Sequence, residues 1–437
     1  MGGSKNAGGT TAAGGRIATG GVGTTVAPPT GGKTATGGTT SGTASIGGTY
    51  STGGRTATGG TTSVIMSGGG TTATGGTATG RCSPSPCHSG TCTVSGGTFT
   101  CACALNYFGA RCESERLKEI ELTDPMQVNA DGTVVVGYVG SSNPDMYAAQ
   151  WTASSGFQVL SSESGSVAWA VSGDGVSVFV GSNTGRVSVV RWAGGQQYAM
   201  GLPSDSLSST GSYVGSWAGG SDATGSVMVG CAYDNNGCQA FRWSAEDGFD
   251  VLAADPSDAT GVSADGSVVV GNRRVGNQDV GFRWTVGTQT FEDLGILPGK
   301  LWCRANSVSA NGLVIVGSCT DTVDAERMTA VRWVGTTPTE LGGLGDSYPP
   351  LASTSAVSTN SDGSLIAGYA GGNGSTDSWI WDPLNGVQLL TSILTAAGAD
   401  MSGWTTMVVT AMSSDGKTVV GWGTRLGVTK GFIARLP

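Results

Sequence analysis

Val262-Ser263-Ala264-Asp265-Gly266-Ser267-Val268-Val269-Val270-Gly271 sets the pattern of this chain. It reads as the end of one strand, an Asp-Gly turn and a β-branched second strand. Gly281-Phe282-Arg283-Trp284 follows as a third strand, and Phe291-Glu292-Asp293-Leu294-Gly295 as a short fourth. Asp-Gly is expected to close the hairpin because both of its residues tolerate positive φ. In the third strand, Phe and Trp fall on one face and Arg on the other.

The phrase recurs along most of the chain. Equivalent turns stand at Asp131-Gly132, Asp174-Gly175, Thr224-Gly225, Asn311-Gly312, Asp362-Gly363 and Asp415-Gly416, with neighbouring turns 41 to 53 residues apart. Third strands end on Trp151, Trp192, Trp243, Trp284, Trp333 and Trp381; the seventh repeat has Gly431-Phe432-Ile433-Ala434-Arg435 instead. A period of this length with four strands per unit implies a β-propeller of seven blades. The last repeat ends at Pro437 after its third strand, while Leu117-Lys118-Glu119-Ile120-Glu121-Leu122 has no partner of its own. That segment is expected to supply the missing strand, closing the ring and removing two exposed edges.

Upstream the composition changes twice. Residues 1–80 are rich in Gly and Thr, repeat Thr-Ala-Thr-Gly-Gly-Thr from Thr34, Thr56 and Thr72, and contain almost no large apolar side chains. Such a stretch is expected to be a disordered linker or stalk, since it cannot offset its backbone entropy by burial. Residues 82–112 carry Cys82, Cys87, Cys92, Cys101, Cys103 and Cys112, spaced C-x4-C-x4-C-x8-C-x-C-x8-C. So short a segment cannot hold a core, so its cysteines read as a disulfide framework whose pairing the spacing leaves open. The other four cysteines fall in the repeats. Cys303 and Cys319 are symmetric about Asn311, and Cys231 and Cys238 flank a single connection. Both pairs suit disulfides. With all ten cysteines paired, an oxidising, extracellular or cell-surface location is expected.

Two resemblances extend this reading. Pro86-Cys87, Gly90-Thr91-Cys92, Gly97-Thr98-Phe99-Thr100-Cys101-Ala102-Cys103 and Tyr107-Phe108-Gly109-Ala110-Arg111-Cys112 resemble an EGF-like domain. That resemblance implies the pairs Cys82–Cys92, Cys87–Cys101 and Cys103–Cys112. It has Asn106 where the family usually has Gly, and Asn also tolerates the left-handed backbone. Ala78-Thr79-Gly80-Arg81 offers no acidic ligand before the first cysteine, so no calcium is expected there. Ser263-Ala264-Asp265-Gly266, Val268-Val269-Val270-Gly271, Phe282-Arg283-Trp284 and Asp293-Leu294-Gly295 resemble the HAF-type repeat of bacterial exported proteins. This second resemblance spans about 113–437, implies an extracellular propeller, and carries no catalytic residues with it.

Charge narrows the partners. Residues 1–112 hold six basic residues and no acid, which leaves 16 basic and 31 acidic residues in 113–437, net −15. Such a body has no footprint for nucleic acid and is repelled by anionic membranes. No apolar run long enough for a transmembrane helix occurs. Met1-Gly2-Gly3-Ser4-Lys5 lacks the apolar core of a signal peptide, so a start upstream of Met1 is expected.

Chemistry is sparse. The one histidine, His88, lies outside the repeats, which excludes histidine-dependent nucleophiles and histidine metal sites from 113–437. No CxxC spacing supports zinc, no phosphate loop appears, and no cofactor or metal is expected. The turns lack the Asp-x-Gly spacing and following Trp of sialidase Asp boxes. The acids at Asp321, Asp324 and Glu326 and the Asp234 loop are read as solvated rather than calcium-binding. Arg191, Arg242, Arg283 and Arg332 recur in most blades and are read as structural, covering the blade and pairing a turn carboxylate.

The expectation is therefore a monomeric, non-enzymatic binding or adhesion scaffold for a protein or glycan. Its contact loops would be those that depart from the repeat: Asn143 to Tyr147, Cys231 to Cys238, Arg273 to Val280 and Cys319 to Met328. Two alternatives stand beside it. One is a carbohydrate-active enzyme using paired carboxylates at the channel, and the other a structural surface component.

Overall fold

The structure, a computed structural model, describes residues 72–74, 82, 85–141, 145–182, 189–201, 215–234, 237–252, 256–321, 327–343, 353–372 and 375–437. The proposed stalk, apart from Thr72–Thr74, lies outside the described residues.

Seven four-stranded antiparallel blades form the body of the chain. In blade four the inner strand is Ser257–Val262, followed by Val268–Val275, Gln278–Thr285 and the outer Thr290–Asp293. Blade seven takes Trp404–Met412, Thr418–Arg425 and Val428–Arg435 from the C-terminus. Its outer strand is Leu117–Ile120, antiparallel to the third, with Ile120 opposite Gly431 and Leu117 opposite Ala434. The ring is thus closed by pairing the two ends of the propeller.

The Asp-Gly turn differs from the two-residue hairpin expected. Five residues, Ser263–Ser267, separate the strands, and the Gly266 N–H closes a four-residue turn on the Ser263 carbonyl. Only Gly266 takes positive φ, at 71°; Asp265 does not. Asp265 instead serves as an acceptor, through Oδ1, for the Ser263 hydroxyl at 2.5 Å and the Ser267 N–H at 3.0 Å. Ser263 is fully buried, and its oxygen accepts the Val268 N–H at 3.0 Å. Short polar side chains that capture nearby backbone donors make the turn, rather than a mirror-image backbone. In blade three, Asp222 takes the serine's place and accepts from Val227 N–H, which explains how the turn forms with Thr224 where other blades have Asp.

These turns join one another around the ring. Ala130 N–H donates to Gly173 O, Gly173 to Asp222 O, Ala223 to Ala264 O and Ala264 to Ala310 O. Asn311 donates to Ser361 O, Ser361 to Ser414 O, and Asp415 back to Ala130 O, all at 2.8–3.2 Å. Every blade is hydrogen-bonded to the next at its turn, and the circle is complete.

Between blades the core is apolar. Phe282 and Trp284 of blade four pack on Val227, Val229 and Ala240 of blade three, and Trp379 and Trp381 of blade six on Val314, Val316 and Ala330 of blade five. Hydroxyls add cross-links: Ser166 accepts from Ala148 N–H, Ser257 from Ala240 N–H and Thr354 from Ala330 N–H, each bond joining adjacent blades. The one helix among the described residues, Leu390–Ala396, was not anticipated in the sequence. Its Leu390 and Leu394, four apart and fully buried, fill the layer between blades six and seven.

The cysteine-rich module is a hairpin, Gly90–Ser95 with Thr98–Cys103, followed by Tyr107–Phe108 paired with Ser114–Glu115. Cys82–Cys92, Cys87–Cys101 and Cys103–Cys112 are bonded. Thr72–Thr74, within the stretch expected to be structureless, adds a strand against Thr100–Ala102. β-branched residues beside an open hairpin edge account for this exception.

Asn106 fixes the module to the ring. Its backbone is left-handed, φ 72°, as the sequence allowed. Its side chain donates to Leu117 O at 2.7 Å and accepts the Leu117 N–H at 2.9 Å and the Asp400 N–H at 3.3 Å. Its own N–H donates to Gly398 O, just past the helix. Arg116 stacks on Phe108 at 4.2 Å and donates to Arg435 O and Leu436 O at 3.3 Å.

Candidate binding site at the channel mouth

Each inner strand carries a β-bulge at the same distance before its turn. The bulged residues are Met126, Trp169, Gly219, Thr260, Asn306, Val357 and Thr410. All seven line a central channel of about 390 Å³. A bulge re-aims a side chain that a regular strand would direct elsewhere. The three polar ones hold neighbours: Thr260 donates to Ala305 O, Asn306 to Ala356 O and Thr410 to Pro125 O, each in the next blade. Gln127 reaches farther, donating to Gly219 O of blade three. This series was missed in the sequence. Its signal is a fixed spacing before the turn, hidden because no two adjacent blades carry the same residue there.

The channel wall holds little chemistry. Among the described residues its one ionisable side chain is Asp222, buried and accepting from Thr224, Ser226 and Val227. The recurrent arginines lie outside the wall. Arg191 donates to Ser177 Oγ, Arg283 pairs with Glu292 at 3.6 Å, and Arg332 stacks on Trp381 at 4.9 Å. The partners of these three are thus not the turn carboxylates. Arg435 of blade seven alone approaches them, with Asp415 and Asp131 nearby and a bond to Gly132 O.

Charge collects at the opposite end from the turns, where the inner strands begin. A cavity of about 270 Å³ there is lined by Trp217, Tyr233, Cys238, Pro256, Ser257, Asp258, Asn272, Arg273, Arg274, Asp279 and Arg304. It spans blades three to five, and Trp217 belongs to both this cavity and the channel. Arg304 bridges two acids, with Asp258 Oδ2 at 3.4 Å and Asp279 Oδ2 at 3.3 Å. Arg274 pairs with Asp279 at 3.3 Å, and Arg273 with Asp293 at 2.8 Å from outside the wall. Asn272, buried, clasps both the N–H and the carbonyl of Ala305, locking blade four to blade five beneath the charges.

Burial pushes the Asp258 carboxyl up and outweighs the Arg304 charge and the Asn272 hydrogen bond, while Asp279 adds to the rise. Burial likewise raises the Tyr233 phenol, against the hydrogen bond with Trp217 and with help from Asp258. On blade one, burial pushes Asp124 up to about 6, partly opposed by the Tyr138 hydroxyl.

The four loops singled out by sequence all join second to third strands, at this same end of the ring. Two contribute to the cavity: Tyr233 and Cys238 from blade three, and Arg273, Arg274 and Asp279 from blade four. Cys231 is bonded to Cys238, and Cys303 to Cys319 directly across its hairpin. Residues 143–144 and 322–326 of the other two loops, including Asp324 and Glu326, lie outside the described residues. Asp321 pairs with Lys300 at 3.7 Å. Asp258 and Arg304 were not singled out in the sequence, because each looks like one more variable residue at the start of a strand. Among the described residues, no three His, Cys, Asp or Glu side chains converge as a metal set, and no helix is long and apolar enough to cross a membrane.

Several known structures resemble this one. Oligogalacturonate lyase from Vibrio parahaemolyticus aligns at 12% identity and TM-score 0.48, over 73% of this chain and 90% of that one. The β-propeller domain of the Trilobed protease from Pyrococcus furiosus aligns at 11% and 0.48, over 72% and 96%. The Cps50 (Swd1) propeller domain from Myceliophteria thermophila aligns at 11% and 0.47, over 74% and 100%. A comparison with curated proteins finds no match. Residues 82–111 match the EGF-like domain family, so this segment of the chain is an EGF-like domain joined to a β-propeller.

Proposed function

We propose that the protein is an extracellular or cell-surface, non-enzymatic scaffold, with an EGF-like module and a propeller of HAF-type repeats, that binds a protein or glycan partner at the channel mouth. One observation carries this reading: the cavity over blades three to five is built from residues that break the repeat. Whatever serves the blade recurs in each blade, so a cluster confined to three of them serves something else. Five disulfides support the location, since such bonds persist in oxidising compartments.

A binding screen of the full chain against surface proteins and glycans, run beside Tyr233→Ala, tests the proposal. Binding lost in the variant supports the mouth; binding equal in both places the contact elsewhere.

One observation favours an enzyme instead. Asp258 and Asp279 contact the same guanidinium, so their contacting oxygens lie no more than about 9 Å apart, an upper bound compatible with glycosidase carboxylate pairs. The raised Asp258 would be the acid of such a pair. Glycoside cleavage abolished by Asp258→Asn or Asp279→Asn would replace the scaffold reading with this one.

A further inference from the structure

The mouth cavity can be given a ligand class, an inference that rests on the binding reading above. We infer that it takes a saccharide bearing a carboxylate. The segment 113–437 carries net −15, yet Arg273, Arg274 and Arg304 all line one cavity there, the guanidinia of Arg274 and Arg304 lying on its acids and that of Arg273 on Asp293 beside it. Each guanidinium brings five N–H donors in a planar fork suited to carboxylates. The acids beside them accept three hydrogen bonds from Arg273, one from Arg274 and two from Arg304. Donor capacity therefore exceeds what these acids use, and Arg274 is half exposed.

The remaining walls are those a sugar ring needs. Trp217 and Tyr233 offer aromatic faces, and Tyr233 is 40% exposed. Asp258 and Asp279 are acceptors for hydroxyl groups. They also set the charge of the ligand. Two carboxylates in the wall repel a dianion such as a phosphate monoester, whereas a single carboxylate on a ring of hydroxyls satisfies both kinds of partner. The volume, about 270 Å³, falls just under the range of pockets for drug-sized ligands, so the cavity admits one sugar residue or a chain end.

Calorimetric titration of the full chain decides the matter. The probes are glucuronate- and galacturonate-containing oligosaccharides, with glucose and galactose oligosaccharides of equal length and inorganic phosphate as controls. The acidic oligosaccharides are expected to bind, to weaken with added salt, and to lose about tenfold in affinity in Arg274→Gln. Tyr233→Ala should weaken them as well, and thermal melts check that both variants fold. Equal affinity for acidic and neutral sugars, or an unchanged Arg274→Gln, overturns the acidic class. Phosphate binding more tightly than the uronates overturns it too. If no oligosaccharide binds, the inference fails. The binding reading then stands or falls separately, on capture of a surface protein by the chain and its loss in Tyr233→Ala.

Discussion

Asn106 shows how much one residue can hold. It stands at a left-handed turn, and its amide serves three backbone groups of the propeller seam. Asn106→Ala removes all three hydrogen bonds and leaves a Cβ at positive φ. A loss of about 2–4 kcal/mol is expected from net hydrogen-bond values. Asn106→Gly removes the bonds but relaxes the backbone, so it should cost less; thermal melts of the two variants separate the contributions. Asp124 makes a pH prediction. Its folded pKa, about 6, exceeds the ordinary value near 3.8, so the folded state holds its proton more tightly. Its cost is absent below about pH 4, grows as pH rises to 6, and is constant above, at about 3 kcal/mol. Asp124→Asn should therefore raise the melting temperature at pH 8 and leave it unchanged near pH 4. Gly266 is bound by both backbone and space. A Cβ there would sit 2.8 Å from Val227 Cγ2 at φ 71°, and Gly266→Ala should cost about 2 kcal/mol, read by denaturant titration.

At the scale of elements, the closing strand decides integrity. Leu117 and Ile120 are buried, at 5% and 2% exposure, against the last C-terminal strand. Replacing either by Ala should cost about 2–5 kcal/mol. The double variant should free the edge at Gly431–Ala434 and aggregate as concentration rises, seen by light scattering. This strand was legible because a repeat array lacking one strand at its end must find it elsewhere. The blades were legible because turn, strand and ring recur in register. The helix Leu390–Ala396 was not, since two leucines in a seven-residue segment give no periodicity to read. The mouth cavity was half legible. Its loops stood out as departures from the repeat, but the meeting of Asp258 with Arg304, 46 residues apart, depends on how blades abut.

For the whole molecule, the circle of backbone hydrogen bonds makes each blade a neighbour of two others with no free end. A linear repeat array frays from its termini, whereas a closed ring has none. The amide protons of Ala130, Gly173, Ala223, Ala264, Asn311, Ser361 and Asp415 are therefore expected to exchange with similar protection. Hydrogen exchange resolved by blade tests this. Protection falling progressively from blade four toward the seam would show that the ring opens there first.

The seven bulges carry a consequence for engineering. Turn, hydroxyl cross-link and ring layer hold the blades together largely without them; Thr260, Asn306 and Thr410 reach the next blade by hydrogen bonds, and Trp169 and Val357 touch the core between blades as partly buried side chains. A Cβ at Gly219 would sit 2.0 Å from the Ala259 carbonyl oxygen, so Met126, Trp169 and Val357 are the three addresses, one per blade, at which the bore of the protein can be rewritten by single codons. A combinatorial library confined to them would vary the lumen from aromatic to charged on one unchanged frame, a barrel with interchangeable rifling.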